Sequence, residues 1–96
     1  MNPEQFKNSL SETEPPAEVT APLRALWLDK RERWHAAHEE VQDGQDQPSA
    51  WVHAYLHRKE GDVGNAAYWY RIAGKKLCEL TLEEEWDQLV DALLPK

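Results

Sequence analysis

The sequence predicts an all-α fold, a small bundle of about five helices that follows a mobile N-terminal arm. Apolar side chains recur at spacings of three and four residues in separate segments, which is the period of an amphipathic helix. Residues that begin or end helices, such as Pro22, Pro48 and Gly74, separate these segments. At 96 residues the chain has the length of one domain. We therefore expect an arm over 1–20 and a single α-helical domain over 21–96.

The predicted arm is rich in Glu, Pro, Ser and Thr and has few large apolar side chains, chiefly Phe6 and Leu10. Such a segment buries too little surface to offset the entropy lost on ordering, which favours a mobile arm. A short helical turn over 3–10 is the alternative, and it would let Phe6 and Leu10 dock on the domain.

Capping residues define the helices of the domain. Thr20 can cap the first helix, with Pro22 in its first turn, and Pro48 opens the third helix after a polar loop over 43–49. Thr81 and Glu84 have the spacing of a capping box at the start of the last helix. The predicted helices cover residues 20–31, 34–42, 49–60, 63–74 and 82–94.

The fourth predicted helix is expected to be the central element of the bundle. Asp62 can cap its free N–H groups, and Gly61 can adopt a turn conformation that other residues resist. Its apolar side chains lie on more than one side, which is typical of a helix that is buried on two faces. One stripe carries Val63, Ala66, Tyr70, Ala73 and Leu77, and the opposite side carries Tyr68 and Ile72.

Charge and composition narrow the classes of partner. The formal net charge is −7, whereas phosphate backbones and anionic membranes attract clustered Lys and Arg, so no nucleic-acid or membrane partner is expected. No apolar run approaches the roughly 20 residues of a membrane span, and the first residues lack the apolar centre of a secretion signal. Cys78 is the only cysteine and has no internal disulfide partner. These features predict a cytoplasmic protein.

One stretch resembles known helical repeats. The segment GDVGNAAYWYRIA, over 61–73, is similar to the inter-helix turn and second helix of a tetratricopeptide repeat, and its ending, WYRIAG, is similar to a Sel1-type repeat. The longer string LHRKEGDVGNAAYWYRIAG resembles a group of short, mainly bacterial proteins without an assigned activity. A second similarity, between residues 34–41 and 63–70, supports a helical repeat. The resemblance implies right-handed, tetratricopeptide-like helical hairpins and no particular function.

The third helix departs from this repeat pattern. In the register set by Gly61 and Ala66, the positions that face the second helix of the repeat hold Ala50, His53, Ala54 and His57 rather than large apolar residues. Two alternatives follow. Either the helix is rotated relative to the family, or two histidines line the seam between the helices.

A polar cluster around the Gly61 turn is the candidate ligand site. Arg side chains can grip an anion, and His53 and His57 lie on one helical face where they can act as acid or base. An Arg–Glu network that only fastens one helix to the next is the competing interpretation. The candidate binding residues are His53, His57, Arg58, Glu60, Asn65, Tyr68 and Arg71.

A metal ion shared by His53 and His57 is a further alternative. The sequence offers no third ligand at a convincing spacing, although His35 and His38 of the second helix could complete the site. The favoured alternative is that the histidines are partly buried and bonded to Tyr or carboxylate neighbours. We therefore expect no metal and no cofactor. No nucleophile–base pair stands out, so we expect no catalytic residue, and an enzyme is the less favoured alternative.

The leading functional hypothesis is a protein-interaction module that binds a protein partner or itself. Five Trp and three Tyr are many for a chain this short to bury, and exposed aromatic patches mark interfaces. The candidate interface residues are Trp69, Ile72 and Trp86. The alternative is a small-molecule or metal-binding protein, possibly an enzyme, whose site is the polar cluster at the turn between the third and fourth helices.

Overall fold

A computed structural model describes residues 1–95, and within them the fold is all-α, as predicted. The count of α-helices is six rather than five, because the N-terminal segment contributes one, followed by a short 3-10 turn. No helix in this part of the chain is both long and apolar enough to cross a bilayer. Lys96, the end of the predicted domain, lies outside the described residues. The helices are α1 (Pro3–Asn8), α2 (Ala21–Lys30), α3 (Trp34–Val41), α4 (Gln47–Lys59), α5 (Val63–Ala73) and α6 (Leu82–Leu93).

Two of the predicted helix starts are confirmed by their caps. Asp62 accepts a bond from the Asn65 backbone at the start of α5, and Thr81 and Glu84 complete a reciprocal capping box on α6. Gly61 has φ +90°, the left-handed conformation that the turn between α4 and α5 requires. Thr20 stands at the predicted position before α2, but its side chain makes no capping bond.

The prediction that α5 is the central helix is wrong, and α4 holds that place. Every residue from Ser49 to His57 of α4 is buried, whereas α5 buries only Ala66, Tyr70 and Ala73. Val63 is 58% exposed, so it lies outside the core, although the sequence predicted it on a buried apolar stripe of this helix. The physical reason is visible in the sequence, since residues 47–57 form the longest run without a charged side chain.

The N-terminal segment packs against the domain rather than standing apart from it as a mobile arm. Phe6 on α1 is fully buried, with its ring centroid 6.0 Å from that of Trp86. Trp27 donates its indole N–H to Ser9, and Arg31 donates to the backbone carbonyl of Leu10. Polar contacts to backbone groups therefore supplement the small apolar area that the composition of this segment supplies. The alternative of a docked helical turn describes this segment better.

Tryptophan side chains join the helices around α4. Trp34 at the start of α3 donates its indole N–H to the carbonyl of Leu56 at 2.9 Å. Trp86 of α6 donates to the carbonyl of Leu26 on α2, also at 2.9 Å. Each ring buries a large apolar body while its polar edge reaches a backbone acceptor. The Trp34 bond ties α3 to α4, and the spacing of these two helices positions the candidate site.

Candidate functional site: a histidine cluster between α3 and α4

Three histidines meet at the junction of α3 and α4. His53 and His57 are one helical turn apart on α4, so both rings lie on the face that packs against α3. His38 on α3 reaches across, and its Nε2 lies 3.0 Å from Nε2 of His53. One ring nitrogen from each histidine lies within 4.8 Å of the other two. The second sequence alternative, which placed both histidines in the seam between α4 and α5, is corrected by the structure: the rings lie at the junction of α4 with α3, and Trp69 of α5 stacks on His53. We call His38, His53 and His57 the histidine cluster.

Two tryptophans enclose the histidine cluster. The Trp69 ring of α5 stacks on His53 with a centroid distance of 4.0 Å and an interplanar angle of 19°. The Trp34 ring of α3 stacks on His38 at 5.1 Å and 13°. Both Trp residues and His38 are half-buried, whereas His53 and His57 are buried. The cluster therefore has an inner side within the helix bundle and an outer side near solvent.

Glu60 orients one ring of the cluster. Its carboxylate Oε2 lies 2.6 Å from Nδ1 of His57, one turn along α4. A carboxylate on Nδ1 favours the tautomer in which that nitrogen carries the proton, so Nε2 keeps its lone pair. In metal sites the same carboxylate–histidine pair fixes the ring and raises the basicity of the coordinating nitrogen.

Burial keeps two of the rings uncharged. Burial, followed by the neighbouring charges of His38 and His57, lowers the pKa of His53 to about 4. Burial and the charge of His57 also lower the pKa of His38 below its ordinary value. Within residues 1–95, Nδ1 of His53 is the buried side-chain polar atom that lacks a hydrogen-bond partner. An unpartnered buried polar atom costs free energy, so this cluster is not fully satisfied by the protein alone.

A second group of possible ligands shares His57. One ligand atom each from His57, Glu60 and Asp62 also lies within 4.8 Å of the others. The two carboxylates are exposed, and both already have partners: Glu60 bonds His57, and Asp62 accepts from the backbone and side chain of Asn65. These bonds stabilise the α4–α5 turn, so this group is the weaker candidate.

Arg58 belongs to a polar cluster other than the predicted one. Its guanidinium lies 2.8 Å from the carboxylate of Glu85 on α6, and it also bonds the carbonyl of Leu80. Tyr70 of α5 donates its hydroxyl to the other oxygen of Glu85 at 2.5 Å. We call Arg58, Tyr70 and Glu85 the Glu85 cluster. It is an Arg–Glu network that fastens helices to one another, as in the competing interpretation, but its carboxylate is Glu85 of α6 and not the Glu60 of the predicted cluster.

The remaining predicted binding residues do not reach the histidine cluster. Asn65, Tyr68 and Arg71 are exposed on α5, and Asn65 is bonded to Asp62. Tyr68 meets only the edge of the Trp69 ring, with the ring planes at 88°. The seven predicted residues therefore divide among the histidine cluster, the Glu85 cluster and the outer face of α5.

Of the predicted interface residues, two lie at the surface and one lies in the core. Ile72 is 36% exposed and Trp69 is half-buried, which keeps both at the surface of α5. Trp86 is only 1% exposed, so its proposed role at an interface is wrong. Trp86 lies on the apolar face of α6, which faces the core, and its ring packs against that of Phe6. Most of the aromatic surplus that motivated the interaction hypothesis is therefore inside the protein.

A surface cavity of about 350 Å³ lies beside the Glu85 cluster. The buried Tyr70 and Glu85, the half-buried Cys78 and the exposed Lys75 and Lys76 are among the residues that line it. Burial raises the pKa of the Cys78 thiol, which makes it a poorer nucleophile at neutral pH. The Lys75 ammonium lies over the Trp51 ring at 4.2 Å, so it is already engaged. The cavity therefore offers neither an activated nucleophile nor an unpaired buried charge.

Two residues of the site, His38 and Trp34, were only weakly indicated by the sequence. The sequence indicated His38 only as one of two residues that could complete a metal site, and it did not single out Trp34. The spacing of Trp34 and His38, four residues apart on one face of α3, was the available signal. The buried contact of Asp29 with Tyr55 and Lys59 was not anticipated at all.

The chain matches no known protein family, no curated protein and no solved structure. The likeness to tetratricopeptide and Sel1-type repeats therefore stays a prediction.

Proposed function

We propose that this protein binds a divalent transition-metal ion through His38, His53 and His57. The observation that supports the proposal is the convergence of three imidazole nitrogens within 4.8 Å of one another across two helices. In a tetrahedral site with metal–nitrogen bonds of about 2.0–2.1 Å, ligand nitrogens lie about 3.3 Å apart. The 3.0 Å separation of His38 and His53 is close to that distance.

The chemistry of the ligands favours zinc or a neighbouring metal. Imidazole is a ligand of intermediate softness that suits Zn, Cu and Ni, whereas Mg and Ca prefer carboxylate and carbonyl oxygens. His57 has the outer carboxylate, Glu60, that accompanies coordinating histidines in metalloproteins. A metal ion would also give the facing nitrogens of His38 and His53 a shared partner in place of each other.

Equilibrium dialysis of chelator-stripped protein against zinc tests the proposal. The expected result is one zinc ion retained per chain, together with a rise in thermal stability. A ligand at 100 times its dissociation constant stabilises the folded state by about 2.7 kcal/mol. For a domain of this size that corresponds to a rise in melting temperature of about 10–20 °C. The proposal fails if zinc is retained below stoichiometry and the melting temperature does not change.

Protein–protein contact through the outer face of α5 is the second candidate function. The specific observation is that Val63, Tyr68 and Ile72 remain exposed on this helix, beside the half-buried Trp69. A second copy of this chain is the occupant to test first, by sedimentation velocity of the wild type and Ile72→Lys. Self-association that the substitution abolishes supports this function, whereas a monomer at all concentrations removes it.

We also propose a reducing compartment, such as the cytoplasm, as the location. Cys78 is the only cysteine of the chain and is free within the described residues. Imidazole ligands do not depend on thiol redox state, so the metal site would be compatible with that compartment.

A further inference from the structure

We infer that the metal site of the histidine cluster keeps an open coordination position that takes a small anion or a water-derived hydroxide from solvent. The inference rests on the proposed function and adds to it the class of the exogenous ligand. A site closed by four protein ligands is structural, whereas three protein ligands with an open position can bind and activate a small molecule.

The first argument is the number of protein ligands. Among residues 1–95, the set of mutually close ligand atoms around His38 and His53 stops at three histidines. Glu60 is the nearest carboxylate along α4, and its Oε2 is held by Nδ1 of His57 at 2.6 Å. His35 is exposed and packs its edge on the Trp34 ring, 5.3 Å from its centroid. A tetrahedral ion on the three histidines would therefore need its fourth ligand from solution.

The second argument is access. His53 and His57 are buried, so the inner side of the site is closed by the body of α4. His38 is half-buried, and so are Trp34 and Trp69, which stack on the histidine rings from α3 and α5. An open position would therefore reach solvent on the side where His38, Trp34 and Trp69 remain partly exposed.

The third argument concerns the size and charge of the ligand. Imidazole ligands bring no negative charge to the metal ion, and the single Glu60 carboxylate bonded to His57 offsets only part of its double charge, which favours an anionic fourth ligand. The flanking Trp rings are apolar and rigid, so they favour a compact ligand over one that is large or heavily hydrated. Hydroxide, azide and thiocyanate satisfy both conditions.

Cobalt substitution provides the test, because tetrahedral Co²⁺ has visible absorption bands that respond to a change of ligand. The expected result is a stoichiometric cobalt complex whose visible spectrum shifts saturably on titration with azide. If no stoichiometric cobalt complex forms, the proposed function itself fails. If the complex forms but azide leaves its spectrum unchanged, the metal site stands and the open position is wrong.

The Glu60→Ala variant distinguishes a closed site from an open one. If Glu60 turns from His57 to become the fourth ligand, only the variant will respond to azide, and that outcome overturns the inference. If the position is open, wild type and variant will both respond, and the variant will bind cobalt more weakly, by about 10–100-fold. Glu39→Ala, an exposed acidic position on α3, is the matched control and should behave as wild type.

Discussion

The histidine cluster and the Glu85 cluster lie on different sides of α4, although His57 of the first and Arg58 of the second are adjacent in sequence. In the Glu85 cluster a fully buried carboxylate has a guanidinium on one oxygen and a tyrosine hydroxyl on the other. In the histidine cluster neutral nitrogens face one another, and Nδ1 of His53 has no partner. A buried charge is tolerated only when it is compensated, so the first cluster is complete as folded. The second retains a buried polar atom without a partner, which is expected of a binding site.

A third polar group supports this contrast. The buried carboxylate of Asp29 on α2 accepts from the Tyr55 hydroxyl and from the Lys59 ammonium, both at 2.9 Å. Like Glu85, it has one cation and one tyrosine as partners. The two carboxylates fasten α2 and α6 to neighbouring helices, and neither leaves an acceptor oxygen free of a partner.

The largest expected effect comes from breaking the Glu85 cluster. Arg58→Ala leaves a buried carboxylate without its cation and should lower the free energy of unfolding by about 3–5 kcal/mol. Urea denaturation measures this loss. Arg71→Ala is the matched control, since Arg71 is exposed on α5 and its loss should cost less than about 0.5 kcal/mol. Equal losses in the two variants would contradict a structural role for the Glu85 cluster.

The second-largest expected effect is a loss of zinc affinity when the histidine cluster is changed. His38→Ala should weaken zinc binding by at least about 100-fold, because losing a ligand costs more than losing an outer partner. His35→Ala removes an exposed histidine three residues away on the same helix and should leave the affinity unchanged. Competition with a coloured zinc chelator measures both. An equal loss in the two variants would point to adventitious surface binding.

A pH titration tests the tyrosine–carboxylate bonds. Burial, followed by the contacts with Asp29 and Glu85, raises the pKa of Tyr55 and Tyr70 well above their ordinary value. The unfolded chain loses these protons near pH 10 while the folded chain keeps them, so stability is complete below pH 10 and falls above it. Each tyrosine should cost about 1.4 kcal/mol at pH 11. Urea midpoints from pH 8 to 11 measure the slope.

The Tyr55→Phe variant is the control for this slope. It should be less stable at pH 8, because the hydroxyl bond to Asp29 is gone, and its stability should fall less steeply above pH 10. A slope as steep as that of the wild type would show that Tyr55 does not contribute to the alkaline loss.

The smallest expected effect separates the two groups of possible ligands. Asp62→Asn keeps a capping side chain at the start of α5 and removes a carboxylate from the weaker group. Zinc affinity and the free energy of unfolding should both stay within about 0.5 kcal/mol of wild type. A large drop in zinc affinity would move the site from His38 and His53 to Glu60 and Asp62.

The helices could be predicted from the sequence, because their signals are local. Caps, prolines and apolar spacing located five of the six within two residues at their starts. Which helix is the most buried was harder to predict. The prediction gave the aromatic content of α5 more weight than the longer uncharged run of α4. Amphipathicity reveals which faces are apolar, but it does not reveal which neighbouring helix covers them.

The candidate site could be predicted only in part. His53 and His57 were identified from their spacing on one helical face. Arg58 was grouped with them because it is adjacent in sequence, yet one residue along a helix is a rotation of about 100° and directs it to another neighbour. The role of His38 depends on how α3 packs against α4. That contact is tertiary, and the spacing of Trp34 and His38 on one face of α3 does not by itself reveal it.

X-ray absorption spectroscopy of the zinc-loaded protein tests the central claim most directly. The histidine cluster predicts a first shell with three imidazole nitrogens at about 2.0–2.1 Å and one exchangeable oxygen ligand from solvent. The outer-shell scattering of three imidazole rings should be lost in part in His38→Ala and be preserved in His35→Ala. A shell of carboxylate and water oxygens, with one imidazole or none, would contradict the claim.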